Sequence, residues 1–309
     1  MTLILNREEV RGLLDTARAM ELLVPVFLEE IDGTTAHVAP PAEGNSPRVV
    51  GGVLRGMHRM GIRLRGVATV SDPETGKLLA VLSYQWGVLR VVATLALAAR
   101  YLAPPRSRTV AMLGSGNHAL PILEALRLVQ PIERVEVFSP TPEHRVAFAE
   151  RATRALDLSV TARDSVEAAT AEADIVVVAT SSRTPALFAA HVHPGQHVTS
   201  MGGSTELDAS VYLSATQFVT TSRSQELAVA RLGNRRGPAP LAGLVAEGKL
   251  KPESIVELGS ILRGDVAPSN GLDQITVFRD PQGGVGDLAL ANYVYEYARE
   301  HGLGIEVDI

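Results

Sequence analysis

Cysteine is absent from this chain of 309 residues, so disulfide bonds, a thiolate nucleophile and cysteine metal sites are all excluded. Basic charge is not in excess either: the formal net charge is −5, which argues against a nucleic-acid partner. No apolar run approaches the roughly 20 residues of a membrane-spanning helix, and the first residues lack the pattern of a secretory signal. We therefore expect a soluble cytoplasmic protein without a membrane partner.

Apolar residues, by contrast, are plentiful: they make up 46% of the chain, and its length of 309 residues predicts two domains. The double proline Pro104-Pro105 follows a strongly apolar helical segment, 87–102, and indicates a domain boundary. From Thr109 onward, short apolar runs alternate with amphipathic segments, which predicts a parallel sheet with helices on both faces. The predicted fold class is α/β, with a doubly wound sheet.

The most informative motif lies in the segment 109–119, where an apolar strand leads through a glycine turn into a helix. The turn has the form G-x-G-x-x-A, which is typical of dinucleotide-binding domains. Gly114 would permit the sharp turn, Gly116 would let a pyrophosphate approach the main chain, and Ala119 would let the helix pack closely. The pyrophosphate would bind N–H groups at the start of the helix. A purely structural turn is the alternative.

Short motifs that recur in a fixed order extend this interpretation to nearly the whole chain. They are Glu8-Glu9 with Asp15, 71–80, 89–93, 98–103, 114–116, 173–176, 179–182, 206–208 and 276–278. In combination they resemble the ornithine cyclodeaminase/μ-crystallin family. The resemblance implies an NAD(P)-binding Rossmann domain, 106–284, inserted into a second α+β domain. Residues 1–105 and 285–309 would form that second domain, which binds the substrate and joins two copies into a homodimer.

The same resemblance implies an activity: NAD(P)H-dependent oxidation or reduction at the C–N bond of an amino-acid-like substrate. Imine reductases, ketimine reductases and amino-acid dehydrogenases of the family work in this way. Two alternatives stay open. One is a redox-neutral cyclodeaminase, or a synthase of N-substituted amino acids, with tightly bound NAD. The other is a homologue that binds the nucleotide but has lost catalysis.

Two arginines are the main candidates for the substrate site. Arg90 matches the family's arginine that binds the substrate carboxylate, and its apolar neighbours make an unpaired charge there costly; a structural ion pair is the alternative. Arg63 falls where many family members carry a catalytic lysine. A guanidinium stays protonated, so Arg63 suits carboxylate binding better than proton transfer. Arg48 is the candidate for a second carboxylate ligand.

The family also carries an aspartate after a glycine pair, where this chain has Ser204. Ser204, or Glu206 beside it, would have to replace that acid, and the missing aspartate argues against ornithine cyclisation. A role as caps of the next helix is equally open for both residues. The predicted catalytic residues are therefore Arg63, Arg90 and Ser204.

The predicted cofactor contacts lie in the glycine turn, after the later strands and at the start of the last helix. They are Gly114, Gly116, Asn117, His118, Ala119, Ser139, Thr141, Arg145, Thr180, Ser181, Met201, Gly202 and Asp287. Ser139 stands where an acidic residue would hold the ribose hydroxyls of NAD. The missing carboxylate favours NADP over NAD, and Arg145 is placed to reach its 2′-phosphate. Asp287 would lie near the nicotinamide or cap the last helix.

Overall fold

The computed structural model describes residues 1–38, 49–201, 205–232, 239–281 and 284–308. The chain forms two compact units, one of Met1–Thr94 with Gln282–Ile309 and the other of Leu95–Pro281. Among the described helices, none is both long enough and apolar enough to cross a membrane. Arg48, Gly202 and Ser204, which the sequence marks as site residues, lie outside the described residues.

The elements follow one another in chain order. The first part of the chain contains β1 (Thr2–Leu5), α1 (Thr16–Ile31), β2 (Thr35–His37), β3 (Val49–Leu54), β4 (Arg59–Leu64), β5 (Val67–Ser71), β6 (Leu78–Ser83) and α2 (Gly87–Leu102). The central part contains β7 (Thr109–Leu113), α3 (Ala119–Arg127), β8 (Arg134–Phe138), α4 (Pro142–Leu156), β9 (Ser159–Ala162), α5 (Val166–Thr170), β10 (Ile175–Val178), β11 (Gln196–Ser200), α6 (Ala209–Ser214), β12 (Gln217–Thr220), α7 (Arg223–Leu232), α8 (Pro240–Ala246), β13 (Val256–Glu257), α9 (Leu258–Arg263) and β14 (Ile275–Arg279). The chain ends with α10 (Gly284–His301) and β15 (Ile305–Val307).

The first unit is built on a mixed sheet with the strand order β15-β1-β6-β5-β4-β3-β2. Strands β1 and β6 run parallel, and the other neighbouring pairs are antiparallel. Helix α10 packs against β3, β4 and β5, and α1 packs against α10. The division between the two units falls inside α2, whereas the sequence places the boundary after that helix.

Strands β4 and β5 are separated by a turn, although the apolar residues of 62–70 are typical of a single strand. Arg65 adopts a left-handed conformation with φ 51°, and the chain turns there so that β4 and β5 pair antiparallel. Successive side chains of a strand alternate between the two faces of the sheet. Arg63 therefore points towards α10, while Ile62 and Leu64 lie on the opposite face, where 46% and 43% of their surface is exposed.

The second unit is built on a parallel sheet with the strand order β13-β12-β14-β11-β10-β7-β8-β9, which confirms the predicted α/β fold class. Its neighbouring strands pair in parallel throughout the described residues. Continuous buried runs such as Ile175–Val178 in β10 are typical of parallel strands covered on both faces. The strand order reverses between β7 and β10, and ligands of such sheets bind at the carboxyl ends of the strands at that point.

Candidate functional site

Gly114 lies at the carboxyl end of β7 and shows why the glycine turn excludes a side chain. Its φ is +121°, and a Cβ atom placed on it would lie 2.2 Å from the carbonyl oxygen of Ala179, after β10. Gly116 differs, because a Cβ atom there would meet no atom of the described residues within 4 Å. The turn therefore packs tightly against the segment after β10 and leaves open space beside Gly116.

Helix α3 follows this turn, and its first N–H groups have no cap from the preceding side chain. His118 is the N-cap residue and makes no side-chain hydrogen bond to the helix. Asn117 is exposed, and Ala119 is buried. The N–H of Ala119 donates to the carbonyl oxygen of Gly116 (3.1 Å) and Pro121 has no N–H, but the positive end of a helix still favours a phosphate group. The open space beside Gly116, at the start of a helix, fits the pyrophosphate of a dinucleotide.

The residues after β8 form a small hydrogen-bonded cluster. Ser115 donates to Ser139 Oγ (3.1 Å), which in turn donates to the carbonyl oxygen of Thr141 (3.3 Å). The buried guanidinium of Arg145 donates through Nη1 to the carbonyl oxygen of Ser139 (3.1 Å) and through Nη2 to Asp164 Oδ1 (2.6 Å). The structure thus brings together the residues that the sequence assigned to cofactor choice. It also adds the exposed carboxylate of Asp164, which the sequence did not single out.

Glu206 lies between the carboxyl ends of β10 and β11. Its Oε1 accepts the backbone N–H of Thr180 (2.6 Å) and the hydroxyl of Thr180 (2.7 Å), and its Oε2 accepts the hydroxyl of Ser200 (2.9 Å). Ser181, next along the chain, is exposed, whereas Met201 is buried. A capping role for Glu206 is wrong, because Asp208 is the N-cap of α6 and accepts from its first turn.

In the first unit, Asp287 connects the two candidate arginines. It lies in the first turn of α10 rather than at the N-cap, and 1% of its side chain is exposed. Its Oδ2 accepts from Arg63 Nε (2.7 Å), its Oδ1 lies 3.3 Å from Arg90 Nε, and Oδ1 also accepts the phenolic hydroxyl of Tyr84. The structure therefore gathers a carboxylate, two guanidinium groups and a phenol into one arginine cluster, made of Arg63, Tyr84, Arg90 and Asp287.

Tyr84 is the member of the arginine cluster that sequence reasoning missed. Burial, followed by the nearby charge of Asp287, raises its pKa well above the ordinary value, so the phenol keeps its proton. The guanidinium of Arg63 lies 5.0 Å from the centre of its ring, and Trp86 packs edge-on against it at 5.4 Å. The sequence does contain a feature that could have drawn attention to it. Tyr84 and Trp86 lie close together between β6 and α2, in a chain of which only 4% is aromatic.

The chemistry open to the arginine cluster follows from its groups. Two guanidinium groups beside one carboxylate favour the binding of an anion, and arginine binds carboxylates in a bidentate geometry. The phenol is neutral, and its hydrogen points to Asp287 because a carboxylate can only accept. Within the described residues, no three His, Asp or Glu side chains are placed to hold a metal ion.

The chain is similar to several known proteins over nearly its whole length. The model of the ornithine cyclodeaminase/mu-crystallin family matches residues 58–302. A Δ1-pyrroline-2-carboxylate reductase of Bacillus cereus is 27% identical over 332 residues, covering 99% of each chain. The iminosuccinate reductase of Paracoccus denitrificans in complex with NAD+ superimposes with a TM-score of 0.84, at 26% identity over 100% of this chain and 99% of that one. An archaeal alanine dehydrogenase dimer with bound NAD gives 0.81, at 25% identity over 100% and 99%.

Proposed function

The chain belongs to the ornithine cyclodeaminase/mu-crystallin family, and from that membership we propose that it reduces the C=N bond of a small α-imino acid. It is an NAD(P)-dependent oxidoreductase that acts on a C–N bond of an amino-acid-like substrate. The two reductases described above are named for Δ1-pyrroline-2-carboxylate and iminosuccinate. In both compounds a carboxylate is attached to the carbon of the C=N bond, so the enzyme must bind an anion next to the reacting carbon.

The observation that carries the proposal is the convergence of Arg63 and Arg90 on Asp287. Arg63 uses Nε for Asp287, and 18% of its side chain is exposed, which gives an anion access to the guanidinium. We assign the substrate carboxylate to Arg63 and Arg90, because paired N–H groups of a guanidinium match the two oxygens of a carboxylate. Neither arginine releases a proton at working pH, so both hold and orient the substrate.

Tyr84 is the group that we assign to the substrate nitrogen. Its hydrogen is committed to Asp287, so the phenolic oxygen offers its lone pairs to an N–H donor. A protonated imine is such a donor, and it is also the form that accepts hydride most readily. The negative charge of Asp287, transmitted through the phenol, would favour this protonated form over the neutral imine.

The cofactor supplies the hydride when it is bound. Gly114, Gly116 and the start of α3 would hold its pyrophosphate, as the open space beside Gly116 and the positive end of the helix suggest. We propose a preference for NADP over NAD because Arg145 places a cation next to Ser139. Asp164, its partner, has 97% of its side chain exposed, so a 2′-phosphate can displace it. The ratio of kcat/KM for NADPH and NADH tests this preference in the native protein and in Arg145→Ala.

We also propose that two copies form a homodimer through the mixed sheet, within the cytoplasm, where the nicotinamide cofactors are available. The support is the apolar face of β4 and β5 that lies away from α10. Ile62, Leu64 and Val67 each have more than two fifths of their surface exposed there, at 46%, 43% and 47%. A contiguous apolar face on a strand pair is typical of a protein–protein contact.

The experiment is an absorbance assay at the nicotinamide band, with NADH or NADPH and each of the two imino acids. Net oxidation of the cofactor, with formation of proline or aspartate, is the expected result. Two results would overturn the proposal. One is product formation from amino acids without net change in cofactor, which indicates redox-neutral chemistry. The other is cofactor binding without turnover of any imine, amine or keto acid with ammonia, which indicates a homologue without catalysis.

A further inference from the structure

A single buried residue holds both ends of the loop that follows β10. The loop comprises residues 180–187, and its positions 181, 183 and 184 are exposed. At its start, Thr180 donates two hydrogen bonds to the carboxylate of Glu206. At its end, the backbone N–H groups of Ala186 and Leu187 donate to the carbonyl oxygen of Glu206 (2.8 and 3.3 Å). Glu206 therefore fixes where the 180–187 loop leaves the sheet and where it returns.

The same loop begins against the glycine turn. A Cβ atom on Gly114 would lie 2.2 Å from the carbonyl oxygen of Ala179 and 3.6 Å from the backbone nitrogen of Thr180. The backbone of this short segment thus forms one wall of the turn that we assign to the pyrophosphate. A shift of Thr180 by even a fraction of an ångström changes the space beside that turn.

Burial of the Glu206 carboxylate at this position is unfavourable in free energy. The residue is fully buried, and this desolvation raises its pKa, while the hydrogen bonds from Thr180 and Ser200 act in the opposite direction. Its oxygens accept from donors on two strand ends, so the carboxylate fills a geometric role that an apolar residue cannot take. A buried ionised group is weak evidence for a role in stability, so its position calls for another explanation.

We propose that Glu206 is a positioning residue for the dinucleotide: it holds the 180–187 loop against Gly114 in the geometry that binds NAD(P)H. The inference rests on the proposed function for the identity of the ligand. The length of the side chain is what matters, because Oε1 must reach both donors of Thr180. Charge by itself is secondary, because an amide oxygen at the same place accepts the same two hydrogen bonds.

Two substitutions distinguish the effect of the length of the Glu206 side chain from the effect of its charge. Glu206→Gln keeps the acceptor at the distance of Thr180 and removes the charge. Glu206→Asp keeps the charge and shortens the side chain by one methylene group. We expect the Gln variant to bind NADH and NADPH within about threefold of the native protein, and the Asp variant to bind about tenfold to a hundredfold more weakly, since it loses hydrogen bonds that a charged acceptor makes.

Glu226→Gln is the matched control. Glu226 is equally buried, but its Oε1 accepts from Arg279 Nε (2.8 Å) rather than from the loop. Arg279 also donates to Ser200 (3.2 Å), so both glutamates belong to the same buried polar network. We expect Glu226→Gln to lower the melting temperature while the dissociation constant of NADH stays within about threefold of the native value, because the change touches the network but not the loop.

The rate of trypsin cleavage after the exposed Arg183 reports how firmly the 180–187 loop is held when no cofactor is present. The masses of the fragments identify the cleavage site. Faster cleavage in Glu206→Asp than in Glu206→Gln and Glu226→Gln is expected. Equal cofactor affinity in the Asp variant and the native protein, or equal losses in all three variants, would overturn the positioning role. A native protein that binds neither dinucleotide would instead overturn the proposed function, and the cleavage rates would still report whether Glu206 holds the loop.

Discussion

Tyr84 donates its phenolic hydrogen to Asp287, although 203 positions of the chain separate the two residues. The bond joins the segment between β6 and α2 to the first turn of α10 and places a neutral hydroxyl beside two arginines. The arginine cluster therefore combines anion binding with a hydrogen-bond acceptor for nitrogen. An α-imino acid presents the two matching groups, a carboxylate and the nitrogen of a C=N bond.

Removal of that hydroxyl gives the first prediction. Tyr84→Phe keeps the ring and its contact with Arg63, so the fold and the cofactor affinity should change little. We expect kcat/KM for the imino acid to fall about tenfold to a hundredfold, because the acceptor for the substrate N–H is lost. Steady-state kinetics and the melting temperature measure this. Tyr212→Phe, which removes a buried hydroxyl of the second unit, is the control, and native kinetics in Tyr84→Phe would contradict the assignment.

Substitution of Arg63 tests the carboxylate site. In Arg63→Gln, KM for the imino acid should rise about tenfold to a hundredfold, since a charge-assisted pair of hydrogen bonds is lost, while the dissociation constant of NADH stays the same. Arg65→Asn is the matched control, because Arg65 is exposed and its left-handed backbone suits asparagine. Arg90→Ala should also weaken substrate binding. An unchanged substrate affinity and turnover in a folded Arg90→Ala protein would remove Arg90 from the site.

The two glycines of the turn should respond differently to the same substitution. Gly114→Ala adds a Cβ atom 2.2 Å from a carbonyl oxygen at a left-handed backbone position, so we expect a loss of about 1–3 kcal/mol in the free energy of unfolding. Gly116→Ala meets no described atom within 4 Å, so its stability should stay native. Its cofactor affinity should nevertheless fall, because the methyl group enters the space assigned to the pyrophosphate. Calorimetric titration with NADH, together with thermal unfolding, checks both; native affinity in Gly116→Ala would contradict the site.

His197 predicts how stability depends on pH. Complete burial lowers its pKa from an ordinary 6.5 to about 3, and its Nδ1 lies 2.8 Å from Thr276 Oγ1. Below about pH 6.5 this histidine is protonated in the unfolded chain but stays neutral in the folded chain. The free energy of unfolding therefore falls as the pH falls, by about 1.4 kcal/mol per pH unit, down to the pKa of the folded state.

The measurement compares slopes in denaturant unfolding between pH 7 and pH 4. His197→Asn keeps a donor for Thr276 and has no proton to gain, so its stability should fall less steeply with acid than that of the native protein. The difference between the two slopes isolates the histidine from the other titrating groups. Identical slopes would show that His197 does not resist protonation in the folded state.

Leu64 tests the proposed homodimer. Leu64→Asp places a charge on the exposed apolar face of β4 and should convert the dimer to a monomer, because burying an unpaired carboxylate in an interface is costly. Leu272→Asp, at a leucine of the second unit that is 82% exposed, is the control and should leave the assembly intact. Sedimentation equilibrium measures both. A native protein that sediments as a monomer, or a dimeric Leu64→Asp, would argue against this interface.

Several features could be predicted from the sequence because their causes are local. The alternation of apolar strands with helices predicts the parallel sheet, and the glycine turn needs only Gly114 and its neighbours to be recognised. The candidate arginines Arg63 and Arg90 came from the resemblance, and the structure brings both to one carboxylate. Their roles in catalysis stay predictions, as do those of Arg48, Gly202 and Ser204.

Only the tertiary structure determined which side chains form hydrogen bonds with each other. Asp287 meets Tyr84 across 203 positions, and Glu206 meets Thr180 across 26, so no local pattern connects either pair. The break at Arg65 likewise depends on pairing between β4 and β5 rather than on apolar periodicity. A buried carboxylate must find donors wherever packing brings them, because it cannot stay without hydrogen bonds. The sequence by itself determined which chemical groups are present and how the main chain turns locally, and only packing determined which of those groups meet.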